Sequence, residues 1–249
     1  DALFHKGVAL QEEGMPDEAE TCYRRAIAAD SGLAEVRCNL GNILKDRGDF
    51  AGAAAQYRVA LSVDSGIAEL HANLGVVLHE LGALDEALRC FDRALELAPQ
   101  TAEFHRNRAM VLLLLGRFAE GWEDYGWRWK TRHFAPIRRS FPVPEWTGEA
   151  LTGRRILVHA EQGFGDTLQF IRCLPLVAVR GGEVIFECQP ELVELARTLL
   201  DTGEVIAAGT PLPSVDFHIP LLSLPKVLGI DLKSIPAEVP YIFPDEDRL

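Results

Sequence analysis

The most constraining feature of this sequence is a 34-residue repeat in its first half. Glycine, leucine, alanine and aromatic residues recur at that interval in six separate registers, which chance does not explain. The registers are Gly7, Gly41 and Gly75; Gly14, Gly48, Gly82 and Gly116; Ala19, Ala53 and Ala87; Tyr23, Tyr57 and Phe91; Ala26, Ala60 and Ala94; and Leu10, Leu44, Leu78 and Leu112. A fixed period of this length predicts stacked units, each burying its apolar face only against its neighbours.

The spacing inside one repeat predicts a pair of helices. Leu40 and Leu44 lie on one face of a first helix, and Ala53 and Tyr57 lie on one face of a second. Gly48 stands between them, where a left-handed residue ends a helix at little cost only if it is glycine. The recurring small residues let the two helices approach closely, and the recurring aromatic residue fills the gap between neighbouring pairs.

Composition and charge narrow the class of protein. The chain has 249 residues, of which 48% are hydrophobic and 25% charged, as is typical of folded globular domains. Residues 1–130 hold 14 Lys and Arg against 21 Asp and Glu, and residues 131–249 hold 11 against 16, giving a net charge of −12. Because both halves are acidic, nonspecific nucleic-acid binding is not expected. No apolar run approaches the about 20 residues needed to span a membrane.

The cysteine pattern bears on the cellular compartment. The five cysteines are odd in number, and none forms a Cys-x-x-Cys pair. We therefore expect reduced, mostly buried thiols in a cytoplasmic protein. We also find no cluster of residues with the spacing of metal ligands, and we expect no metal and no cofactor.

The repeat resembles the tetratricopeptide repeat over residues 1–130. The resemblance implies stacked helix pairs that form a right-handed superhelix with a concave groove. The fourth repeat is irregular, because Gly121 stands where alanine is expected. An aromatic cluster follows, made of Trp122, Tyr125, Trp127 and Trp129. It is interpreted either as a hydrophobic cap on the last repeat or as an aromatic ligand platform.

Three asparagines share the same period. Asn39, Asn73 and Asn107 lie on the first helix of successive repeats, two residues before the small packing position. We expect them near the concave side, stacked one above another. A carboxamide offers donors and acceptors, so such a row can hold the backbone of an extended polypeptide without reading its sequence. The alternative is that each asparagine caps or bridges adjacent helices, and His5 holds the equivalent place in the first repeat.

The second half predicts an α/β domain. Residues 131–150 contain a basic run and then prolines and a glycine, and they predict an extended connector. Residues 151–249 alternate strands with helices, which predicts a Rossmann-like parallel sheet with any ligand at the carboxyl ends of its strands. The predicted strands are 154–160, 182–188, 205–208 and 216–220, and the predicted helices are 167–179, interrupted at Pro175, 190–200 and 223–228.

A glycine loop follows the first predicted strand, at the place where this architecture binds ligands. Gly163 and Gly165 would let a backbone come close to a substrate, and the following helix would offer free N–H groups. As a dinucleotide fingerprint the loop is incomplete, because Leu168 replaces the third glycine. Asp166 either caps the helix or acts as a general base on an acceptor hydroxyl. His159, Glu161 and Gln162 complete the candidate substrate loop.

Several motifs resemble a bacterial family of tetratricopeptide-repeat glycosyltransferases. They are Gly121-Trp122, Tyr125, Trp127-Arg128, Trp146-Thr147-Gly148, the run from His159 to Phe170, Leu222-Ser223-Leu224-Pro225 and Pro240-Tyr241. The loop at Gly165 and Asp166 is also similar to one in heptosyltransferases, and the asparagine row to that of O-linked N-acetylglucosamine transferases. The resemblance implies GT-B enzymes that need no metal. In these enzymes an amino-terminal lobe faces the acceptor and a carboxyl-terminal lobe binds the nucleotide-sugar.

Residues 151–249 would supply only the acceptor-side lobe of such an enzyme. A nucleotide-sugar is therefore expected to bind only together with a missing carboxyl-terminal lobe, and this chain alone is expected not to transfer sugar. The competing hypothesis is a noncatalytic interaction scaffold, in which the repeats bind a polypeptide and the α/β domain is a structural cap. A nucleotide-binding regulator is a third hypothesis.

Overall fold

The computed structural model describes residues 2–30, 32–199 and 203–242. The chain forms two compact units, Asp1–Ala135 and Pro136–Leu249, which are called the repeat unit and the α/β unit and are described separately. The predicted connector, residues 131–150, is divided between the two units: residues 131–135 lie in the repeat unit and residues 136–150 in the α/β unit.

The repeat unit consists of helix pairs, as the period predicted. Its helices among the described residues are α1 (Ala2–Glu12), α2 (Pro16–Ala29), α3 (Ala34–Asp46), α4 (Phe50–Val63), α5 (Ala68–Glu80), α6 (Leu84–Leu97), α7 (Ala102–Leu114) and α8 (Phe118–Tyr125). The first and second helices of each pair pack against each other, and each second helix packs on the first helix of the next repeat. Gly48 lies in the turn between α3 and α4 and has φ +81°. The equivalent glycines of the other repeats also have positive φ.

The small residues of the repeat face the aromatic ones. A Cβ added to Gly41 would lie 2.5 Å from the ring of Tyr57, and one added to Gly75 would lie 2.9 Å from the ring of Phe91. Both rings are almost completely buried. Each pair of helices therefore approaches closely because a glycine on the first helix leaves room for a ring on the second.

The aromatic cluster after α8 packs onto α7 and belongs to the repeat unit. A 3₁₀ segment, Gly126–Lys130, carries it, and the ring of Trp127 stacks on His105 with centroids 4.0 Å apart. Arg128 is 1% exposed and its guanidinium lies 4.7 Å from the ring of Tyr125 and 4.6 Å from that of Trp129. Because these rings are used within the unit, the arrangement favours the cap over the ligand platform.

The α/β unit is built on a small parallel sheet. Its strands are β1 (Arg155–His159), β2 (Glu183–Cys188), β3 (Glu204–Ala207) and β4 (Phe217–Pro220), in the order β3-β2-β1-β4. His159 is in register with Glu187 on one side and with Pro220 on the other. Strand β2 therefore pairs with one side of β1, β3 pairs with the outer side of β2, and β4 pairs with the other side of β1.

The helices of this unit are shorter than the sequence predicted. Residues 167–179 were expected as one interrupted helix, but α9 begins at Phe164 and ends at Phe170, and α10 spans Leu174–Ala178. Pro175 lies in the first turn of α10, where its missing N–H costs nothing, and a 3₁₀ turn separates the two helices. The expected helix 190–200 is a 3₁₀ turn followed by α11 (Val193–Arg197), and its predicted end at Leu200 lies outside the described residues. The last helix, α12, spans Leu224–Leu228.

The predicted connector extends the sheet. The Trp146 backbone N–H donates to the carbonyl of His218 at 2.8 Å, and the His218 N–H donates to the carbonyl of Pro144 at 3.1 Å. These bonds cover the open edge of β4, which would otherwise expose an unpaired row of backbone groups. The Trp146 side chain is completely buried and its Nε1 donates to the carbonyl of Glu149 at 2.9 Å.

Candidate functional sites

The asparagine row lies on the first helices of the repeats, which form one side of the repeat unit. Helix α3 contacts α5, and α5 contacts α7, so that the first helices of successive repeats are neighbours. Asn39, Asn73 and Asn107 are all half-buried on this side. The structure therefore brings the three predicted residues onto adjacent helices of one surface.

Two of the three carboxamides use one donor on a neighbouring side chain. Asn39 Nδ2 donates to the hydroxyl of Tyr23 at 3.4 Å, and Asn73 Nδ2 donates to Oδ1 of Asn42 at 3.3 Å. Asn107 makes no hydrogen bond with any residue that the structure describes. The bridging alternative thus describes part of what Asn39 and Asn73 do, while the Asn107 amide has all its donors and acceptors available.

Asn42 also belongs to this surface, although the sequence analysis did not single it out. Its Oδ1 accepts from the Tyr57 hydroxyl at 2.8 Å as well as from Asn73, so it links two successive repeats. The repeat equivalents are Val8, Val76 and Met110, and a search for residues that recur at the period therefore misses it. Its position one turn after Asn39 is the signal that could have found it.

The predicted site of the α/β unit begins at the carboxyl end of β1. His159 is 3% exposed, and its Nε2 lies 3.4 Å from Nδ1 of His218 on β4. The ring of Phe141 stacks on His218 with centroids 4.3 Å apart and lies 4.8 Å from His159. Burial lowers the pKa of His218, and the Arg138 and Arg139 charges lower it further. His159 thus lies in an aromatic cluster on the sheet face.

The glycine loop is held by side chains that the sequence analysis missed. The Thr167 hydroxyl oxygen lies 3.2 Å from the carbonyl oxygen of Gly163 and 3.1 Å from Oε1 of Gln189, and its single proton can donate to either acceptor. Gln189 Nε2 donates to the carbonyl of Gln162 at 2.7 Å, which ties the loop to the residue after β2. Glu161 and Gln162 are half-buried in this arrangement. Neither Thr167 nor Gln189 belongs to a glycine or acid motif, so their role emerges only from the fold.

The two loop glycines are not required by the backbone. Gly163 is the residue before α9, with φ −73° and ψ 176°, and Gly165 does not have a positive φ either. A Cβ added to Gly165 would have no atom within 4 Å. The conformation and packing of the chain therefore do not explain glycine at 165, and the backbone there is open to close approach by another molecule.

Asp166 lies in the first turn of α9 and is half-buried. The interpretation of Asp166 as a helix cap is wrong, because Gly163 holds the cap position and no side chain caps this helix. The Asp166 carboxylate accepts no hydrogen bond from any described residue, and it can accept one from a bound hydroxyl. Glu187, the acid that a dinucleotide site would use, is 2% exposed and paired with Arg139, so it is not available to a ribose.

Neither a metal-binding cluster nor a membrane-spanning helix is found among the residues that the structure describes. Within residues 2–30, 32–199 and 203–242 there is no group of three His, Cys, Asp or Glu side chains arranged to hold a metal ion. In the same ranges, no helix combines the length and the apolar character that crossing a membrane requires.

Comparison with known proteins identifies the first half of the chain. Models described as tetratricopeptide repeat match residues 1–32, 68–100 and 102–121, and one described as TPR repeat matches 41–82. The N-terminal region is a tetratricopeptide-repeat helical solenoid. FlbA from Caulobacter vibrioides is 37% identical over 59 residues. That match spans 24% of this chain and 10% of the length of FlbA.

Solved structures are similar over the same half. A crystal structure of MamA protein has a TM-score of 0.50 at 21% identity, covering 54% of this chain and 72% of MamA. YrrB, described as a TPR protein with an unusual peptide-binding site, has a TM-score of 0.49 at 22% identity, covering 53% of this chain and 68% of YrrB. At these identities the likeness concerns the fold alone. The comparisons support the repeats and do not support the glycosyltransferase resemblance.

Proposed function

We propose that the repeat unit binds an extended polypeptide segment on the side formed by its first helices, as a protein-interaction module. The observation that carries this proposal is the row of half-buried carboxamides on adjacent first helices. Asn39, Asn73 and Asn107 stand in successive repeats, and Asn107 makes no hydrogen bond to a described residue. A carboxamide has two N–H donors and an acceptor oxygen, so the single bonds of Asn39 and Asn73 to neighbouring side chains leave further capacity for a peptide.

The spacing of the repeats suits a polypeptide backbone. Packed helices lie about 8–10 Å apart, and an extended chain advances about 3.3 Å per residue, so one repeat corresponds to about three residues of peptide. Each carboxamide can donate to a peptide carbonyl and accept from a peptide N–H. Such contacts use groups that every peptide has, and therefore they give affinity that does not depend strongly on side chains.

The test is loss of affinity for many unrelated peptides at once. Random peptides of about ten residues, long enough to cross three repeats in extended form, would be selected on the full chain by display. Their affinities would then be measured for the double variant Asn73→Ala, Asn107→Ala. The matched control is Gln100→Ala, which removes an exposed amide between α6 and α7.

We expect the double variant to weaken all selected peptides by about tenfold or more, since each lost hydrogen bond is worth about 1 kcal/mol. The control should bind like the unmodified chain. Loss confined to one peptide sequence would instead mean that side chains are recognised, and an unchanged affinity for every peptide would contradict the proposal.

A second candidate concerns the α/β unit: it acts as the acceptor-side lobe of a glycosyltransferase. The observation that favours it is the open backbone at Gly165 beside the Asp166 carboxylate, at the edge where the strand order reverses between β1 and β4. In this proposal Asp166 orients or deprotonates an acceptor hydroxyl, and a nucleotide-sugar binds a second lobe that is not part of this sequence. The chain alone is then expected not to turn over UDP-sugars or GDP-sugars, and detectable turnover would contradict this division of roles.

A further inference from the structure

The side of the repeat unit that carries the asparagine row also carries acidic residues at both of its edges. On α3, Glu35, Asn39, Asn42 and Asp46 are separated by four, three and four residues. Because a helix advances about 100° per residue, all four lie on one face. This face is called the groove face. On α3 it has an acid near each end of the helix and two amides between them.

The acids at the beginning of the first helices form one row. Glu35, Glu69 and Glu103 follow each other at the repeat period, in the first turns of α3, α5 and α7. Glu35 and Glu69 are exposed and form no ion pair with any residue in the described ranges, whereas Glu103 accepts the backbone N–H of Arg132 at 3.2 Å. The helix dipole favours acids at this end, so this row has a structural reason of its own.

The acids at the other edge of the groove face are not favoured by the helix dipole. Glu12, Asp46 and Glu80 are the last residues of α1, α3 and α5. The carboxyl end of a helix is the negative end of its dipole, so an acid there is unfavourable. Asp46 lies 3.3 Å from Nζ of Lys45, and Glu80 lies 3.4 Å from Nδ1 of His79, a ring that forms an ion pair only when it is protonated. The helix dipole therefore does not explain why an acid stands at this position in three successive repeats.

Both rows act on the centre of the groove face. The pKa of Tyr23 is raised by burial and raised further by the Glu12 and Glu35 carboxylates, against the hydrogen bond from Asn39, which lowers it. Burial raises the pKa of Cys38, and the Glu35 and Glu69 charges raise it further, against the side-chain hydrogen bonds of Asn73 and Asn42, which lower it. Tyr23 therefore experiences a negative potential from one acid of each row, and Cys38 from two acids of one row.

The groove face changes at the fourth repeat. Met110 takes the place of Asn42, and Leu114 takes the place of the terminal acid. The Met110 side chain is 42% exposed and that of Leu114 is 60% exposed, one turn apart on α7. An exposed apolar pair thus closes one end of a surface that is acidic at its edges in the repeats before it.

We propose that the segment bound by the groove face is an extended basic peptide that ends in an apolar residue. Its backbone lies on the amide row, its Lys and Arg side chains alternate towards the two acidic rows, and its apolar end contacts Met110 and Leu114. This inference rests on the proposed function. The geometry suits it, because the rows are about 16 Å apart along α3 and α5, and the two acids of α3 each lie about 6 Å along the helix from the nearest amide. Successive side chains of an extended strand point to opposite sides.

The test uses three labelled peptides of equal length on the full chain, measured by fluorescence anisotropy. One alternates Lys and Ser, one Gln and Ser, and one Glu and Ser, and each ends in Leu. We expect the lysine peptide to bind about tenfold or more tightly than the glutamine peptide, and the glutamate peptide to bind most weakly. The preference should shrink as salt is added, because exposed charges are screened.

Variants then locate the preference on the groove face. Glu35→Gln with Glu69→Gln should lower the ratio of the affinity for the lysine peptide to that for the glutamine peptide, and Glu12, Asp46 and Glu80 should account for the preference that is left. The matched control is Glu18→Gln with Asp85→Asn, which removes the same charge from exposed first-turn acids on the second helices α2 and α6. Circular dichroism checks that both pairs of variants stay folded.

The outcomes separate this inference from the proposal that it rests on. Equal binding of all three peptides, or an equal loss in the control variant, overturns the basic partner and leaves peptide binding standing. Binding of none of the three peptides overturns both. A lysine preference that the groove-face variant lowers and the control retains supports the inference.

Discussion

The repeat unit and the α/β unit differ in how often each contact occurs. In the repeat unit a glycine meets an aromatic ring three times, at Gly7, Gly41 and Gly75. Among the described residues of the α/β unit, a completely buried tryptophan occurs once, at Trp146, and Arg139 pairs with the buried Glu187 in a contact that no repeat copies. Repetition makes candidate binding residues easier to recognise in the repeat unit, because polar residues such as Asn39, Asn73 and Asn107 recur among apolar packing positions.

The α/β unit offers no such internal comparison. His159, for example, follows a strand and precedes a glycine loop, which suggests a site residue. Its contacts instead are with His218 and Phe141 on the sheet face. A single occurrence does not show which of two roles a residue has, and only the three-dimensional arrangement decides.

The largest expected effect concerns a contact that occurs once. Replacing Trp146 with Ala should lower the free energy of unfolding of the α/β unit by about 3–5 kcal/mol, because the side chain is completely buried. Urea unfolding followed by circular dichroism measures the change. Leu232→Ala is the control, since that side chain is 71% exposed. A loss under about 1 kcal/mol for Trp146→Ala would show that the unit does not depend on this contact.

Substitution of a glycine in the recurring glycine–aromatic contact should destabilise the repeat unit at each position where the contact occurs. Gly41→Ala should lower the free energy of unfolding of the repeat unit by about 1–3 kcal/mol, because the new methyl would lie 2.5 Å from the ring of Tyr57. The same substitution should cost less in a chain that also carries Tyr57→Leu, where no ring occupies that space. Thermal unfolding of the three variants compares them, and an unchanged cost in the double variant would argue against the ring contact.

A smaller effect is expected in the pH dependence of the stability of the α/β unit. Burial lowers the pKa of His218, the Arg138 and Arg139 charges act in the same direction, and Glu145 opposes them. The unfolded chain therefore binds a proton more readily, and the stability that the neutral ring provides is present above about pH 6.5. It is lost as the pH falls from there through the lower folded value.

We expect unfolding midpoints of the α/β unit to fall as the pH is lowered from about 7 to about 5. In His218→Gln this dependence should be weaker, because the group that titrates is gone. A variant with an unchanged pH dependence would show that another group is responsible.

The smallest expected effect is at the open glycine. Gly165→Ala should change the free energy of unfolding by less than about 0.5 kcal/mol, because no atom lies within 4 Å of the added carbon. Gly182→Ala in the same unit should cost about 1–3 kcal/mol, since its added carbon would lie 2.6 Å from Cβ of Leu151. Equal costs at the two glycines would mean that Gly165 has a packing role after all.

The features that the sequence predicted well are those that recur. The helix pairs and the left-handed Gly48 were predictable because a period of 34 residues reports the same local geometry several times. The order of the strands and the pairing of Pro144 and Trp146 with His218 were not predictable, because parallel pairing joins residues far apart in the chain. Asn42 was missed for a related reason: it serves one interface between repeats and does not recur.

The glycine loop shows the same limit at the level of a site. Gly163, Gly165 and Asp166 follow β1, as expected. They are held, however, by hydrogen bonds of Thr167 and of Gln189, the residue after β2. No local sequence pattern predicts that a glutamine after one strand bonds to the loop after another. The start of α9 at Phe164 also removed the capping role that sequence reasoning had given to Asp166.

The central claim is that the amide row contacts a bound peptide. The most direct measurement follows the side-chain amide signals of the asparagines by nitrogen-15 NMR while the alternating Lys and Ser peptide is added to the full chain. We predict that the signals of Asn39, Asn73 and Asn107 shift together, at the same peptide concentrations. Signals that stay in place while the peptide binds would contradict the claim, because the peptide would then lie on another surface.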